Sequence, residues 1–497
     1  MEKCLWYPSL SLDLDQARLL PDARDTQDIG EAAMTGADRR NETTFLVALR
    51  GWLAVLIVMT PLGASSADLW VDRNSLGGAC DDGRTRSQVS ETTPWCTLRT
   101  AGSAVLPGDT VHVRAGDYTE IHTCGVCTDN SVLQFVVSGT AAQPIRFEAE
   151  PDQVVRLSAA GGAFHGVQIL ETYDGSVVPR FIELAGFEVS GFPGNCVAVK
   201  DTSDVVLEDL EITACTGGAI ELHRSARVTV ADCRVHHNPL GGWTSAIDLY
   251  LCKHGNVVRR NFVWANTDTD SRESEGHGLT MDYCEELGGA LIESNVIWDN
   301  EGWCMAIYHS DGATIRNNTC WQNGLGRAGT GEVSLLGEDA TIHNNILVSR
   351  DGAAALSIRD LSPPALDLST ISSDFNIVWS PYHEDVVGWP LWNVGTLAEY
   401  QADNSQGWDP ASLQLDPLLV DPLALDFALQ RASAAVDSGD DAHAAALDVT
   451  GVNRPLDGDG DGFAVVDRGA YEYVLAPALF ADGFESGDTD SWSVASP

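Results

Sequence analysis

Four short segments alternate apolar residues with residues able to hold or move protons: Ile220-Glu221-Leu222-His223, Ile247-Asp248-Leu249-Tyr250, Leu279-Thr280-Met281-Asp282 and Met305-Ala306-Ile307-Tyr308. In an extended strand alternate side chains leave on opposite faces, so Ile, Leu and Met directed to a core leave the others outward. Glu221, Asp248, Thr280 and Ala306 then form one column, and His223, Tyr250, Asp282 and Tyr308 the next. On neighbouring strands Glu221 and Asp248 would stand about 5 Å apart, the spacing of a retaining glycosidase pair, and a diagonal pair such as Asp248 and Asp282 would be nearer the inverting range. Elimination from a uronic acid asks instead for a base to take the weakly acidic C5 proton and a cation to neutralise the adjacent carboxylate. Solvated strands carry such residues too, so a purely structural face remains an equal reading.

The elements that must position these columns are repeats. Phe187-Glu-Val-Ser, Leu210-Glu-Ile-Thr, Cys233-Arg-Val-His, Asn261-Phe-Val-Trp, Asn295-Val-Ile-Trp, Asn318-Thr-Cys-Trp, Asn345-Ile-Leu-Val and Asn376-Ile-Val-Trp align on their third residues with spacings of 23, 23, 28, 34, 23, 27 and 31. Such a period means a solenoid whose units bury their apolar sides against their neighbours. Two alternating runs per repeat, bounded by Gly, Asn, Asp and Ser and without a capped helical run, predict two or three strands per turn and hence an all-β parallel β-helix. One Asn per turn is expected at a tight bend, in left-handed backbone and bonded along a ladder. Trp264, Trp298, Trp321 and Trp379 keep the repeat's register and read as packing elements. The two widest spacings come from Asn238–Ser245 and Asn266–His277, just before the second strand of adjacent coils. Loops at one edge of successive coils would wall a groove. They bring Trp243, Asp268, Asp270, Glu273, Glu275 and His277, while Lys253 and His254 follow the neighbouring strand.

The net charge is −43, of which residues 1–67 carry only −3, which excludes nucleic acid as a partner. Gly51–Met59, after Arg50 and before Pro61–Ala67, has the basic flank, short apolar core and small-residue site of a secretory signal, with the mature chain expected to begin near Asp68 and Met34 as an alternative start. The apolar run is short for a membrane span. Eleven of the twelve cysteines follow it, in a compartment that permits disulfides. Cys80 and Cys96 bracket a loop, Cys124 and Cys127 form a local pair, and Cys196, Cys215, Cys233 and Cys252 recur about once per coil, where they could staple adjacent turns.

Leu69-Trp-Val-Asp, Cys80-Asp-Asp-Gly, Pro94-Trp-Cys-Thr-Leu and Leu106-Pro-Gly-Asp-Thr-Val-His-Val-Arg-Ala-Gly-Asp-Tyr-Thr-Glu120 resemble the opening of secreted bacterial right-handed β-helix proteins, the pectate-lyase-like and polygalacturonase-like superfamily. The resemblance implies a cap and first coils over 68–150, helix repeats over 151–380, C-terminal coils and a terminal segment over 381–475, and a tail over 476–497 that resembles short sorting or anchoring tails. It also implies how elimination would run: calcium held by carboxylates, among Asp248, Asp268, Asp270, Glu275 and Asp282, with Lys253, or Arg259 and Arg260, as the base. Polygalacturonases are the hydrolytic precedent, but Asn266-Thr-Asp268 and Gly276-His277-Gly278 lie on one loop here, so that family's catalytic residues do not carry over. Asp457, Asp459 and Asp461 have calcium-loop spacing with Gly462 at the turn, although Arg468 stands where the bidentate Glu of an EF-hand belongs.

The expectation is therefore a secreted, periplasmic or cell-surface protein acting on an extracellular polysaccharide. Elimination comes first, then hydrolysis by paired carboxylates, and third a non-catalytic glycan-binding β-helix. Lys253, Asp248, Glu221, His277 and Asp282 are the catalytic candidates; His223, Tyr250, Tyr308 and Trp243, with Tyr283 and Trp303 nearby, are the sugar-contact candidates.

Overall fold

The computed structural model describes residues 65–123, 130–171, 176–269, 276–284, 289–326, 330–359, 366–389 and 393–475. The signal-like segment, Cys124, Cys127, Asp270, Glu273, Glu275 and the C-terminal tail lie outside these ranges. Among the described residues three long sheets run side by side, with 11, 10 and 12 strands. The chain visits them in rotation, so each coil contributes one strand to each sheet and pairs in parallel with the coils before and after. The repeated motif is the ten-stranded sheet: Val189, Ile212, Val235, Val263, Ile297, Cys320, Leu347 and Val378 are successive register partners. The segments of the two outward columns belong to the twelve-stranded sheet. The eleven-stranded sheet, from Asp68–Val71 to Ser372–Asp374, is the third strand of each coil. Inward Val, Ile, Leu and Met from all three sheets fill one continuous core. No described helix is long and apolar enough to cross a membrane.

Two columns of buried Asn hold the bends. Asn261, Asn295, Asn318, Asn345 and Asn376 form one, each side-chain amide donating to the next residue's Oδ1 at 2.9–3.1 Å. Asn238, Asn266, Asn300 and Asn323 form the other at 2.8–2.9 Å, closed by the Glu332 carboxylate 2.7 Å from Asn323 Nδ2. The left-handed backbone is not at the Asn, as the sequence suggested, but one residue earlier. Asp209, Asp232, Arg260, Ser294, Asn317, Asn344 and Phe375 have φ between 52° and 59°. That turn aims the following side chain inward, where its amide meets backbone groups a bend would otherwise leave unpaired.

Four disulfides occur among the described residues: Cys80–Cys96, Cys196–Cys215, Cys252–Cys284 and Cys304–Cys320. The expected stapling of adjacent coils is realised by Cys196–Cys215, and by Cys252 through Cys284, but Cys233 is a buried free thiol rather than a bridge. Burial pushes it up to about 12, so it stays protonated and behaves as a small apolar core residue.

The segment after residue 413 runs back along the outside of the ten-stranded sheet. Leu419, Phe427, Leu429, Ala435, Val449 and Ala470 pack on Trp298, Ile346, Val348 and Ile377, which makes a second apolar cluster. The Trp column is packing, as expected: Trp264 and Trp298 stack at 4.8 Å, and Trp298 lies 5.0 Å from Phe427. Arg468 ties this segment to the coils before it through Asn376 O at 3.3 Å and Ala411 O at 3.1 Å.

Asn318, like Asn300 and Asn345, has a fully connected side chain. Its amide reaches Ile292 O, Arg316 O and Asn345 Oδ1 at 2.9–3.1 Å, and its Oδ1 accepts from the Asn295 backbone and side chain at 3.0 and 2.9 Å. Asn318→Ala should therefore cost about 2–4 kcal/mol, because it orphans several buried groups at once. Urea unfolding measures it, and a loss below about 0.5 kcal/mol, the scale of an ordinary surface change, would show that the ladder is not a principal support.

Candidate functional site

The register places the outward columns as the alternation implied. Glu221, Asp248, Thr280 and Ala306 are successive partners, and so are Lys200, His223, Tyr250, Asp282 and Tyr308. Lys200 heads the second column and was missed, although Val197-Ala-Val-Lys200 shows the same alternation one coil earlier. Arg224 was missed as well. It sits just past the strand in left-handed backbone, φ 48°, where a strand pattern says nothing of direction.

These residues form a connected network. Asn195 Nδ2 donates to Glu221 Oε2, and Glu221 Oε1 lies 3.5 Å from His223 Nδ1. Arg224 grips Asp201 through two contacts of 2.5 and 2.8 Å and points Nη1 at His223 Nε2, 3.0 Å away. A guanidinium only donates, so Nε2 must accept, which leaves the His223 proton on Nδ1 facing Glu221. The His223 ring meets Tyr250 edge-on at 5.0 Å. Burial, then Asp282 and Asp248, hold the Tyr250 hydroxyl above its ordinary range.

Asp282 is the most perturbed acid of the face. Burial pushes its carboxyl up to about 7, and its buried Oδ1 has no hydrogen-bond partner among the described residues. Asp282 as a whole is half-buried, whereas Asp248 is buried, at 7 % exposure. Register puts Asp282 diagonal to Asp248, one strand over and two residues along, or roughly 7–8 Å. Tyr308 and Tyr283 border Asp282 as exposed rings 5.8 Å apart.

The loops before these strands do stack: Pro239–Leu240 pairs in parallel with Thr267–Asp268. Trp243 stands exposed on the first loop, and the Asp268 N–H is held by Glu301 Oε2 at 2.7 Å. His277 is buried, and its Nδ1 accepts the Trp303 N–H at 2.8 Å, so that nitrogen serves the loop. Lys253 lies outside both columns. It follows the left-handed bend at Leu251, is exposed, and its N–H donates to Ser225 O. Arg259 and Arg260 likewise leave the twelve-stranded sheet: Arg259 ends a strand of the eleven-stranded sheet, and Arg260 pairs with Asp232 at 2.5 Å.

Further along the twelve-stranded sheet a pocket of 370 Å³ opens, lined by Trp303, Ser357, Arg359, His383 and Trp389 among others. The Arg359 guanidinium lies over the Trp303 ring at 4.9 Å. Far from this face, Asp457 and Asp459 converge with Asp437, which the sequence did not suggest. Asp461 is not in that cluster, and its Oδ1 accepts the Phe463 N–H instead. Asp437 and Asp457 already accept backbone N–H groups of the turn, so the cluster also works as a polar hairpin.

The coil geometry agrees with the chain's likeness to known proteins. Residues 166–357 match the family model described as right handed beta helix region, and the three stacked parallel sheets make the fold a right-handed parallel β-helix. Among solved structures it is similar to pectate lyase Pel9A, at 15% identity over 82% of this chain and 97% of that one, TM-score 0.47. It is also similar to PfbA, a surface adhesin of Streptococcus pneumoniae, at 13% identity over 63% and 81%, TM-score 0.43. The periplasmic alginate epimerase AlgG follows at 12% over 65% and 81%, TM-score 0.31. At such identities the likeness is one of fold. No curated protein matches the chain.

Asp282 carries a stability signature. Its ordinary value is 3.8 and its folded value about 7, so between these the folded state keeps a proton that the unfolded chain releases, and stability falls as pH rises through that window. Asp282→Asn removes the burden and should stabilise the protein by about 2 kcal/mol at pH 8, with the gain vanishing below about pH 4. Thermal unfolding at both pH values measures this, and an equal effect at both would contradict a buried, raised carboxyl.

Proposed function

We propose that the protein is a secreted or surface enzyme that cleaves a polysaccharide lying along the twelve-stranded face, with Asp282 as general acid and Asp248 as its carboxylate partner. The observation that carries this reading is Asp282: a half-buried carboxyl pushed up to about 7, whose buried Oδ1 has no partner among the described residues, one diagonal step from the buried acid Asp248. A site that keeps one acid protonated near neutral pH beside another carboxylate suits acid–base cleavage. Their roughly 7–8 Å separation lies in the range that admits a water between base and sugar. The Asp282 proton would pass to the glycosidic oxygen as the bond breaks, while Asp248 takes a proton from the attacking water, so one water is consumed per cleavage. Exposed Trp243, Tyr283 and Tyr308 offer apolar ring faces for sugars. The disulfides and the signal-like segment support an extracellular setting. The names of the fold neighbours, a pectate lyase, an adhesin and an alginate epimerase, are compatible with a glycan partner.

Elimination is the second reading, and Lys200 favours it. That lysine, His223 and the hydroxyl of Tyr250 stand in one column, with Arg224 at its side. They offer proton-transfer groups and a cation for a uronate without Lys253. A calcium ion on Asp248, Asp268 or Asp282 would supply the same neutralisation.

A panel of neutral and uronate-containing polysaccharides separates the readings, scored by reducing ends and by ultraviolet absorbance of an unsaturated uronate, with and without a chelator. Hydrolysis predicts reducing ends without absorbance, activity that declines above about pH 7 as Asp282 loses its proton, and a loss of about 10²–10⁴-fold in Asp282→Asn. Absorbing product would establish elimination instead. Undiminished activity in both Asp282→Asn and Asp248→Asn would remove the reaction from this face.

A further inference from the structure

We propose that His343, Asp440 and His443 form a binding site for a divalent transition-metal ion of the zinc class, which ties the C-terminal segment to the solenoid. His343 ends the Thr341–His343 strand of the eleven-stranded sheet, away from the Asp282 face, while Asp440 caps the short turn Asp441–His443 and His443 ends it. One ligand atom from each lies within 4.8 Å of the others.

His343 makes this more than a chance meeting of polar groups. It is 4 % exposed, and its Nδ1 is buried with no hydrogen-bond partner among the described residues. That nitrogen faces Asp440 Oδ2 from 3.6 Å, too far for a hydrogen bond. Its other nitrogen, Nε2, lies 2.9 Å from Ser372 Oγ. With Nε2–H donating to that hydroxyl, Nδ1 presents a lone pair to a carboxylate, an arrangement that asks for a cation between them. A backing hydrogen bond of this kind is how metal-ligating imidazoles are held in one tautomer.

The remaining ligands are equally placed. Asp440 is locked by Asn344: its N–H donates to Asn344 Oδ1 at 2.8 Å and its carbonyl accepts from Asn344 Nδ2 at 3.0 Å. The Asp440 Oδ1 caps the turn through Ala442 N–H at 3.0 Å, which leaves Oδ2 for the cluster. His443 Nδ1 lies 2.6 Å from that Oδ2, and the two imidazole rings are 4.0 Å apart. In a tetrahedral site with bonds of about 2.0–2.1 Å the ligand atoms stand roughly 3.3 Å apart. The 3.6 Å edge is already near that value. The 2.6 Å edge is a hydrogen bond, which the ion would replace by displacing the Nδ1 proton to solvent, and the His443 side chain, 40% exposed, has room to move outward by the difference. Two imidazoles and one carboxylate suit zinc, cobalt or nickel rather than calcium, which wants a shell of oxygens. Three protein ligands leave a fourth position for water.

The test uses full-length protein stripped with a chelator. Zn²⁺ and, separately, Ca²⁺ are titrated against a chromogenic competitor, and the thermal midpoint is recorded with and without each ion. Expected are one Zn²⁺ per chain, a higher midpoint with Zn²⁺ and none of this with Ca²⁺. His443→Ala, at a partly exposed position where folding is safe, should abolish the thermal response and weaken Zn²⁺ at least tenfold, and Ser372→Ala should weaken it about tenfold through His343. Absent Zn²⁺ binding, or binding and thermal response unchanged in both His443→Ala and Asp440→Asn, would overturn the proposal. Polysaccharide cleavage plays no part in either readout, so its outcome is independent of the reading of the Asp282 face.

Discussion

The need to satisfy backbone polar groups at every bend of a buried coil is the constraint on which the rest of this molecule depends. A parallel strand cannot be closed by a tight hairpin, so the chain must turn between sheets while staying at the spacing of its neighbours. Each turn exposes N–H and C=O groups to an apolar interior. Each of the two Asn columns answers this with one short amide per coil; that of Asn318, for example, donates to carbonyls of its own and the preceding coil and accepts from its neighbour. Because every rung repeats the same bonds, the columns also keep the coils in register. A one-residue slip on the twelve-stranded sheet would turn Glu221, Asp248 and Asp282 into the core.

With register held, the chemistry of the face becomes a matter of which coils are neighbours. Lys200, His223, Tyr250 and Asp282 come from segments separated by some 80 residues of chain, yet they occupy successive strands. The acids there do not all meet the same surroundings. Glu221 has Asn195 and His223 beside it, whereas Asp282 lies beside aromatic rings and keeps an oxygen without a partner among the described residues. That asymmetry pushes the Asp282 carboxyl of this face up to about 7. The C-terminal segment plays the complementary part on the opposite side. It covers the Trp column of the ten-stranded sheet, so that apolar surface is spent on packing and the twelve-stranded face remains open.

Much of this architecture is legible in the amino-acid sequence. Period-two alternation sorted inward from outward residues in Ile220–His223 through Met305–Tyr308, and the phase of the Asn motif placed eight coils, because both patterns are set by local backbone geometry. Lys253 shows where that reasoning ends. It follows its strand by three residues, but the left-handed residue at Leu251 and the Cys252–Cys284 bridge turn the chain away first. Arg259 was misplaced for a related reason, since alternation reveals that a run is a strand and not which of three sheets receives it.

The sequence by itself determined the repeat, the strand faces and the two outward columns, since each follows from spacing along the chain. Only the tertiary structure decided that Lys200 and Arg224 join the face, that Asp282 is buried enough to hold its proton, that Cys233 stays free, and that His343 meets Asp440 and His443 across about 100 residues. Desolvation and ligand convergence depend on what other segments bring within a few ångströms, and linear spacing carries no record of that distance.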